Sequence, residues 1–220
     1  MTTNTITAIE PQKKPGRFNI SVDGEFVVGA SAKVVADLHL KVGQTITPER
    51  LIEITAAEEE NKAMEAALRL LDFRPRTHSE IRIRLKAKGF DDTVIQRVQT
   101  RLTKAELLND SAFAKQWIKE KTNPKASRPV GRRKTAMDLY GKGIDKEIIS
   151  EVLAEISEDD ELNAAQAALT KKFRGWPETP EARKVEYAKL IGFLQRRGFS
   201  WNTIKPAMAA LDAPEDENWD

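Results

Sequence analysis

The chain of 220 residues is long enough for one or two domains with a sizeable buried core. Charged residues make up 32% and aromatics 6%, a balance rich in helix formers, and the absence of cysteine excludes disulfide frameworks and thiolate metal sites. No run of 18 apolar residues is present and the N-terminus lacks a signal-peptide pattern, so a cytoplasmic protein with no membrane association is expected.

The net charge of +2 hides a polarised chain. Residues 1–60 carry 6 basic and 9 acidic groups, residues 61–107 carry 11 and 6, residues 108–157 carry 10 and 7, and residues 158–220 carry 9 and 12. A polyanion would therefore meet the middle of the chain.

Residues 1–46 read as a small β-meander. Phe18, Ile20 and Val22 alternate with polar residues, Asp23 and Gly24 form a two-residue hairpin turn, and Phe26 and Val28 alternate on the return strand. Lys13, Lys14, Pro15 and Gly16 mark an earlier turn, and Ser31 is placed to cap a short helix reaching Leu38. Thr47 followed by Pro48 is a helix start, and the long charged helix that follows runs to about Phe73.

The rest of the chain contains an internal repeat. Leu85, Leu139 and Leu194 correspond at spacings of 54 and 55. Four residues on stand Gly89, Gly143 and Gly198, followed by Phe90, Ile144 and Phe199, then by Asp91, Asp145 and Ser200. The glycine suits the left-handed position that ends a helix, and the apolar residue can pack back on that helix. The Asp or Ser is expected to accept a bond from the next helix's free N–H groups. That helix carries one apolar stripe in each copy: Val94, Ile95, Val98 and Leu102; Ile148, Ile149, Val152 and Ile156; Ile204, Met208 and Leu211. With two further helical stretches upstream, each copy is a three-helix module of about 50 residues. The expected organisation is a β-rich region at 1–46, a linking helix and first module at 47–107, a second module at 108–157, a third at 158–213, and an acidic tail at 214–220. The fold class is mainly α.

No catalytic constellation or metal-ligand pattern is found, and no cofactor is expected. His39 and His78 are isolated, with His78 suited to a surface or capping role. Glu58, Glu59 and Glu60, and the acidic run at 158–161, fall on helix faces or starts. There is no phosphate-binding glycine loop. Phe73, Phe113, Trp117, Phe173, Phe193 and Phe199 fall at core positions, whereas Trp176, Trp201 and Trp219 are less clearly buried.

What remains is basic surface. Arg74, Arg76, Arg82, Arg84, Lys86 and Lys88 crowd the second helix of the first copy and its approach. Lys125, Arg128, Arg132, Arg133, Lys134 and Lys142 do the same in the second, and Arg196 and Arg197 end the matching helix of the third. Cations before each capping glycine suit the helix dipole, but Arg132, Arg133 and Lys134 at a helix start oppose it, which favours phosphate contact there.

Taken in order, these stretches resemble the RecX family, whose members modulate the RecA recombinase. The resemblance covers residues 63–211 and is carried by 67–71, 74–81, 85–90, 107–114, 131–133, 139–144 and 190–199. The N-terminal β region is also similar to one in longer family members. The resemblance implies three tandem three-helix modules in an elongated, curved body. It further implies a monomer that binds single- and double-stranded DNA without strong sequence preference. As the resemblance has it, such a protein lies on the RecA–DNA filament and suppresses ATP hydrolysis and strand exchange, restraining recombination and the SOS response. The protein would then be a regulator and not an enzyme. The longer loop around Trp176 and the acidic tail depart from the simple repeat. The rival readings are a helix-turn-helix DNA-binding transcriptional regulator, disfavoured because the helix after each glycine is not basic, and a helical scaffold for another protein.

Overall fold

The computed structural model describes residues 4–211, so the acidic tail and Trp219 lie outside the described residues. The chain falls into two compact units, one of residues 1–75 and 81–108, the other of residues 76–80 and 109–220.

The first unit opens with strands β1 (Asn4–Pro11), β2 (Arg17–Val22) and β3 (Glu25–Ser31), then helix α1 (Ala32–Asp37) and strand β4 (Thr45–Ile46). They form an antiparallel sheet in the order β3-β2-β1-β4. Asp23 and Gly24 both have positive φ, 50° and 88°, as the two-residue turn requires. Ser31 caps α1 by accepting from Val34 N, and Thr47 caps α2 (Pro48–Phe73) by accepting from Arg50 N. The two-residue β4 carries too little alternation to be legible in sequence. Ile6, Ile20, Val34, Leu40, Ile46 and Ile54 form the core between the sheet, α1 and the start of α2.

The apparently polar first half of α2 contains a buried acid. Glu58 is 2% exposed, accepts from Ser31 N at 2.7 Å and pairs with Arg17 at 2.7 Å, tying the sheet to the helix. Glu60 pairs with Arg101 at 2.8 Å. Both acids are structural ties, and among the described residues no group of acids or histidines could hold a metal ion.

Three helical modules follow. The first uses the end of α2 with α3 (His78–Lys86) and α4 (Asp92–Lys104). The second uses α5 (Asp110–Lys121), α6 (Arg132–Gly141) and α7 (Lys146–Ala154). The third uses α8 (Glu158–Lys172), α9 (Pro180–Arg196) and α10 (Trp201–Ala209). The repeated motif is one hydrogen-bonded device made three times. The N–H of Gly89, Gly143 and Gly198 donates to the third carbonyl back, that of Lys86, Tyr140 and Gln195, at 2.9 Å each. The next N–H, of Phe90, Ile144 and Phe199, donates to Leu85, Leu139 and Leu194 at 3.2–3.3 Å. This is the Schellman pairing, and it explains the constant four-residue step: the leucine supplies the distal carbonyl and the contact for the apolar residue after glycine. All three leucines are fully buried.

Two expectations are corrected. Asp91 and Asp145 occupy N-cap positions without a side-chain cap bond, whereas Ser200 accepts from Thr203 N. The two aspartates are left with the weaker benefit of a negative charge near a helix start. Phe73 is the last residue of α2 and is 83% exposed, because the chain leaves the helix in an extended conformation at Arg74.

The second unit shows a repeated end-to-end contact that the sequence does not announce. At the start of α6, Gly131 N donates to Arg197 O at 2.9 Å and Arg133 N to Gly198 O at 3.2 Å. Between them Arg132 N donates to a Glu161 carboxylate oxygen at 3.0 Å. The turn ending α9 thus caps α6. At the start of α3, Thr77, which aligns with Gly131, donates its hydroxyl to Lys142 O at 2.8 Å. His78, which aligns with Arg132, donates its backbone N–H to Asp110 at 3.0 Å. In each case an acid from the first helix of the following copy meets the same residue twice: the His78 ring lies 3.1 Å from Asp110 and Arg132 Nε lies 3.5 Å from Glu161.

These contacts set the expected stability of single variants. A Cβ on Gly198 would overlap Lys134, and φ there is +82°, whereas Gly89, at φ +89°, faces open space. Gly89→Ala should therefore cost about 1–2 kcal/mol from backbone strain alone, and Gly198→Ala distinctly more, read as the difference in denaturant midpoint. Glu161→Ala removes the acceptor for Arg132 and for the Thr203 hydroxyl; destabilisation by about 2–3 kcal/mol is expected, with α6 becoming more open to amide hydrogen exchange.

Candidate nucleic-acid interface

The fourteen basic residues singled out in sequence separate into those the architecture uses and those it leaves in solvent. Arg132 is half-buried, with its guanidinium on Glu161 and on the Ile156 carbonyl. Its place at a helix start no longer needs a ligand to explain it, because Glu161 and the abutting α9 carbonyls neutralise the positive end of α6. Lys134 pairs with Asp138 at 2.6 Å. Lys142 pairs with Glu80 at 3.2 Å and lies over the Trp117 ring at 4.4 Å. Arg197 donates to Pro129 O at 3.1 Å and sits 4.9 Å from the Phe193 ring centre.

Arg82 and Lys86 are exposed but converge on Asp92, Arg82 at 3.1 Å. The Lys86 ammonium, and then Arg82, hold the Asp92 carboxyl below its ordinary range. Arg74 is half-buried and donates to Pro75 O at 2.8 Å, and Arg76 is half-buried beside it in sequence.

The remainder are Arg84, Lys88, Lys125, Arg128, Arg133 and Arg196. All are exposed, and none has an ion pair among the described residues. In the first unit Arg84 lies in the last turn of α3 and Lys88 in the turn just past it, where the helix dipole favours cations but no acid neutralises them. In the second unit Arg133 points outward from the same helix start that holds Arg132 inward, and Lys125 and Arg128 ride the loop between α5 and α6. Of the aromatics, Trp176 is packed against Phe173, ring centres 5.0 Å apart, and against Tyr187, so the longer loop of the third module adds to its core. Trp201 is 55% exposed at the first turn of α10.

Two cations that segment charges obscured belong with this set. Lys171 and Lys172 end α8 inside a segment whose net charge is −3. Lys171 reaches across to the Pro124 and Ala126 carbonyls, holding the basic loop down. Local clustering of helix-end lysines was the available signal, and averaging over the acidic segment removed it.

Comparison with known proteins finds the same succession of domains. Residues 4–47 match the family described as "Regulatory protein RecX N-terminal domain". Residues 63–102, 109–153 and 158–208 match its first, second and third three-helix domains. The chain is 31% identical to the regulatory protein RecX of Clostridium acetobutylicum over 207 residues, covering 93% of this chain and 94% of the relative. It is 32% identical to that of Bacillus subtilis over 216 residues, covering 97% and 79%. A crystal structure of a regulatory protein RecX superposes with a TM-score of 0.73 at 25% identity, covering 92% of this chain and 99% of the other. RecX from Lactobacillus salivarius shares the fold with a TM-score of 0.61 at 21% identity, covering 71% and 98%. With four consecutive domains matched in order across nearly its whole length, the chain belongs to the RecX family of regulatory proteins.

Proposed function

We propose that this protein is a cytoplasmic negative regulator of recombination and of the SOS response. It acts as a monomer that lodges on the RecA–DNA filament and slows ATP hydrolysis and strand exchange. Membership of the RecX family supports RecA as the partner. The observation that carries the nucleic-acid half is the set of six exposed cations without ion pairs among the described residues, three of them arginines in the second unit: Arg128, Arg133 and Arg196. These cations sit on loops and helix ends, where phosphate contact is the usual role, so single- and double-stranded DNA bind without strong sequence preference. The regulator supplies no catalytic residue. The nucleotide and its hydrolysis belong to RecA.

A helix-turn-helix transcriptional regulator would need cations on the helix after each glycine turn. In α7 the exposed residues include Lys146, Glu147, Ser150 and Glu151, and on α4 Arg97 and Arg101 are drawn to Glu60. Neither helix presents an arginine free to pair with a base edge.

Two measurements test the proposal. Adding the protein to RecA on single-stranded DNA should lower the ATPase rate in a saturable way; an unchanged rate over a wide concentration range would overturn the RecA reading. Replacing Arg84, Lys88 and Arg133 together with Ala should weaken DNA binding. It should also flatten the dependence of log affinity on log salt by about 2 units, at roughly 0.7–0.9 for each phosphate no longer neutralised. Arg132→Ala should instead lower the melting temperature and leave that slope in place. The opposite pattern would reverse the assignment of these neighbours.

A further inference from the structure

Beyond the exposed cations, the second unit holds a small basic cavity of about 210 Å³, lined by Ser127, Arg128, Pro129, Lys171, Lys172 and Arg197 with Ala168 and Phe193 at its wall. None of the lining residues is acidic. Its volume is below the ~300–1,000 Å³ of typical small-molecule sites, which suits one tetrahedral anion better than a nucleoside.

The geometry points to this cavity as a seat for one phosphate group of a nucleic-acid strand. This rests on the nucleic-acid reading above and adds to it a defined pocket formed by the second module's loop and the third module's helix ends.

Side chains from α8 and α9 hold the cavity in shape by pinning the loop between α5 and α6 onto the ends of those helices. Lys171 donates to Pro124 O and Ala126 O, and Arg197 Nη1 donates to Pro129 O at 3.1 Å. Val130 N closes the loop on Lys121 O at 3.1 Å. The Arg197 guanidinium is further fixed by the Phe193 ring. The fixed loop delivers Arg128 to the neighbourhood of Arg197.

That arrangement brings like charges together. Burial, and then the charge of Arg128, lower the Arg197 guanidinium from its ordinary value. Helix-end cations explain Lys171, Lys172 and Arg197 one at a time through the dipole. They do not explain a loop folded so that Arg128 adds a fourth cation with no carboxylate in the lining. An anion relieves that repulsion, and the guanidinium is well shaped to bind phosphate. Lys171 and Arg197 hold the loop, whereas Arg128 and Lys172 are exposed and tie nothing down among the described residues.

The test uses the full chain and the double variant Arg128→Ala with Lys172→Ala, which spares the two loop anchors. The probes are single-stranded thymidine oligonucleotides of the shortest length that binds fully, so that their ends fix the register, each carrying one neutral methylphosphonate at a different position. For the wild type, affinity should fall on the order of tenfold when one particular phosphate is neutralised. The double variant should bind unmodified strand about tenfold more weakly, melt at the wild-type temperature, and show no sensitivity at that position. Strands with and without a 5′-phosphate separate two sources of the group. A wild-type preference for the 5′-phosphate that the double variant lacks assigns a terminal phosphate. Equal affinity with one sensitive internal position assigns a backbone phosphate. If the double variant keeps wild-type affinity and salt slope while the Arg84, Lys88 and Arg133 variant does not, the pocket is overturned and the DNA reading survives. If the wild type shows no salt-sensitive DNA binding, the reading beneath falls and takes the pocket with it.

Discussion

The first turn of any helix leaves backbone N–H groups without intrahelical partners, and buried ones must find acceptors elsewhere. At α6 this requirement organises the second unit. Its N-cap is Gly131, which has no side chain to offer. The acceptors come instead from Arg197 O, Gly198 O and the Glu161 carboxylate. Close approach of two backbones then dictates the residues. A Cβ on Gly131 would lie 2.5 Å from Gly198 O, and one on Gly198 would overlap Lys134. The glycine of the repeated motif therefore has two duties in the third copy: it turns the chain out of α9, and it lets that turn sit on the end of α6.

The same constraint sorts the charges. A carboxylate brought to a helix start needs a cation to remain buried at tolerable cost, and Arg132 supplies it for Glu161. At α3 the corresponding acid, Asp110, lies 3.1 Å from the His78 ring, and Lys142 pairs with Glu80 alongside. The basic surface read from sequence is thus two populations. One is engaged by acids, carbonyls or rings of the fold, and the other stands in solvent next to it in sequence. Arg132 and Arg133 are adjacent residues with different work, because one points at Glu161 and the other out of the helix.

What was legible in the sequence is what is local. The Leu–x₃–Gly–apolar frame could be read because a Schellman turn is complete within six residues, and the apolar stripe of each following helix could be read from its period. The hairpin at Asp23 and Gly24 and the caps at Ser31 and Thr47 are of the same short range. Contacts between distant residues were not legible. Glu161 and Arg132 are 29 residues apart, and Glu58 meets Ser31 across 27, so the acids read only as members of acidic runs. Asp91 and Asp145 had the residue type of a cap without its hydrogen bond, and Phe73 fell on an apolar period that ended with its helix. Net charge by segment pointed towards the middle of the chain, yet it averaged Lys171 and Lys172 into an acidic background.

Unequal decoration of the three copies follows from which helix starts are served by another copy. The first turn of α6 relies on carbonyls and a carboxylate from the third module, so it can begin with glycine. By contrast, α9 begins on its own cap: Thr179 accepts from Ala182 N, and Pro180 at the first helical position removes a donor that would otherwise need an acceptor. The loop before it also supplies its own packing, with Trp176 between Phe173 and Tyr187 and with Arg183 donating to Pro177 O at 2.8 Å. Residues that look like departures from the repeat are therefore what a module carries when its second helix satisfies its own end. The opposite end of α9, at Arg197 and Gly198, is the one that joins the second module and its basic loop.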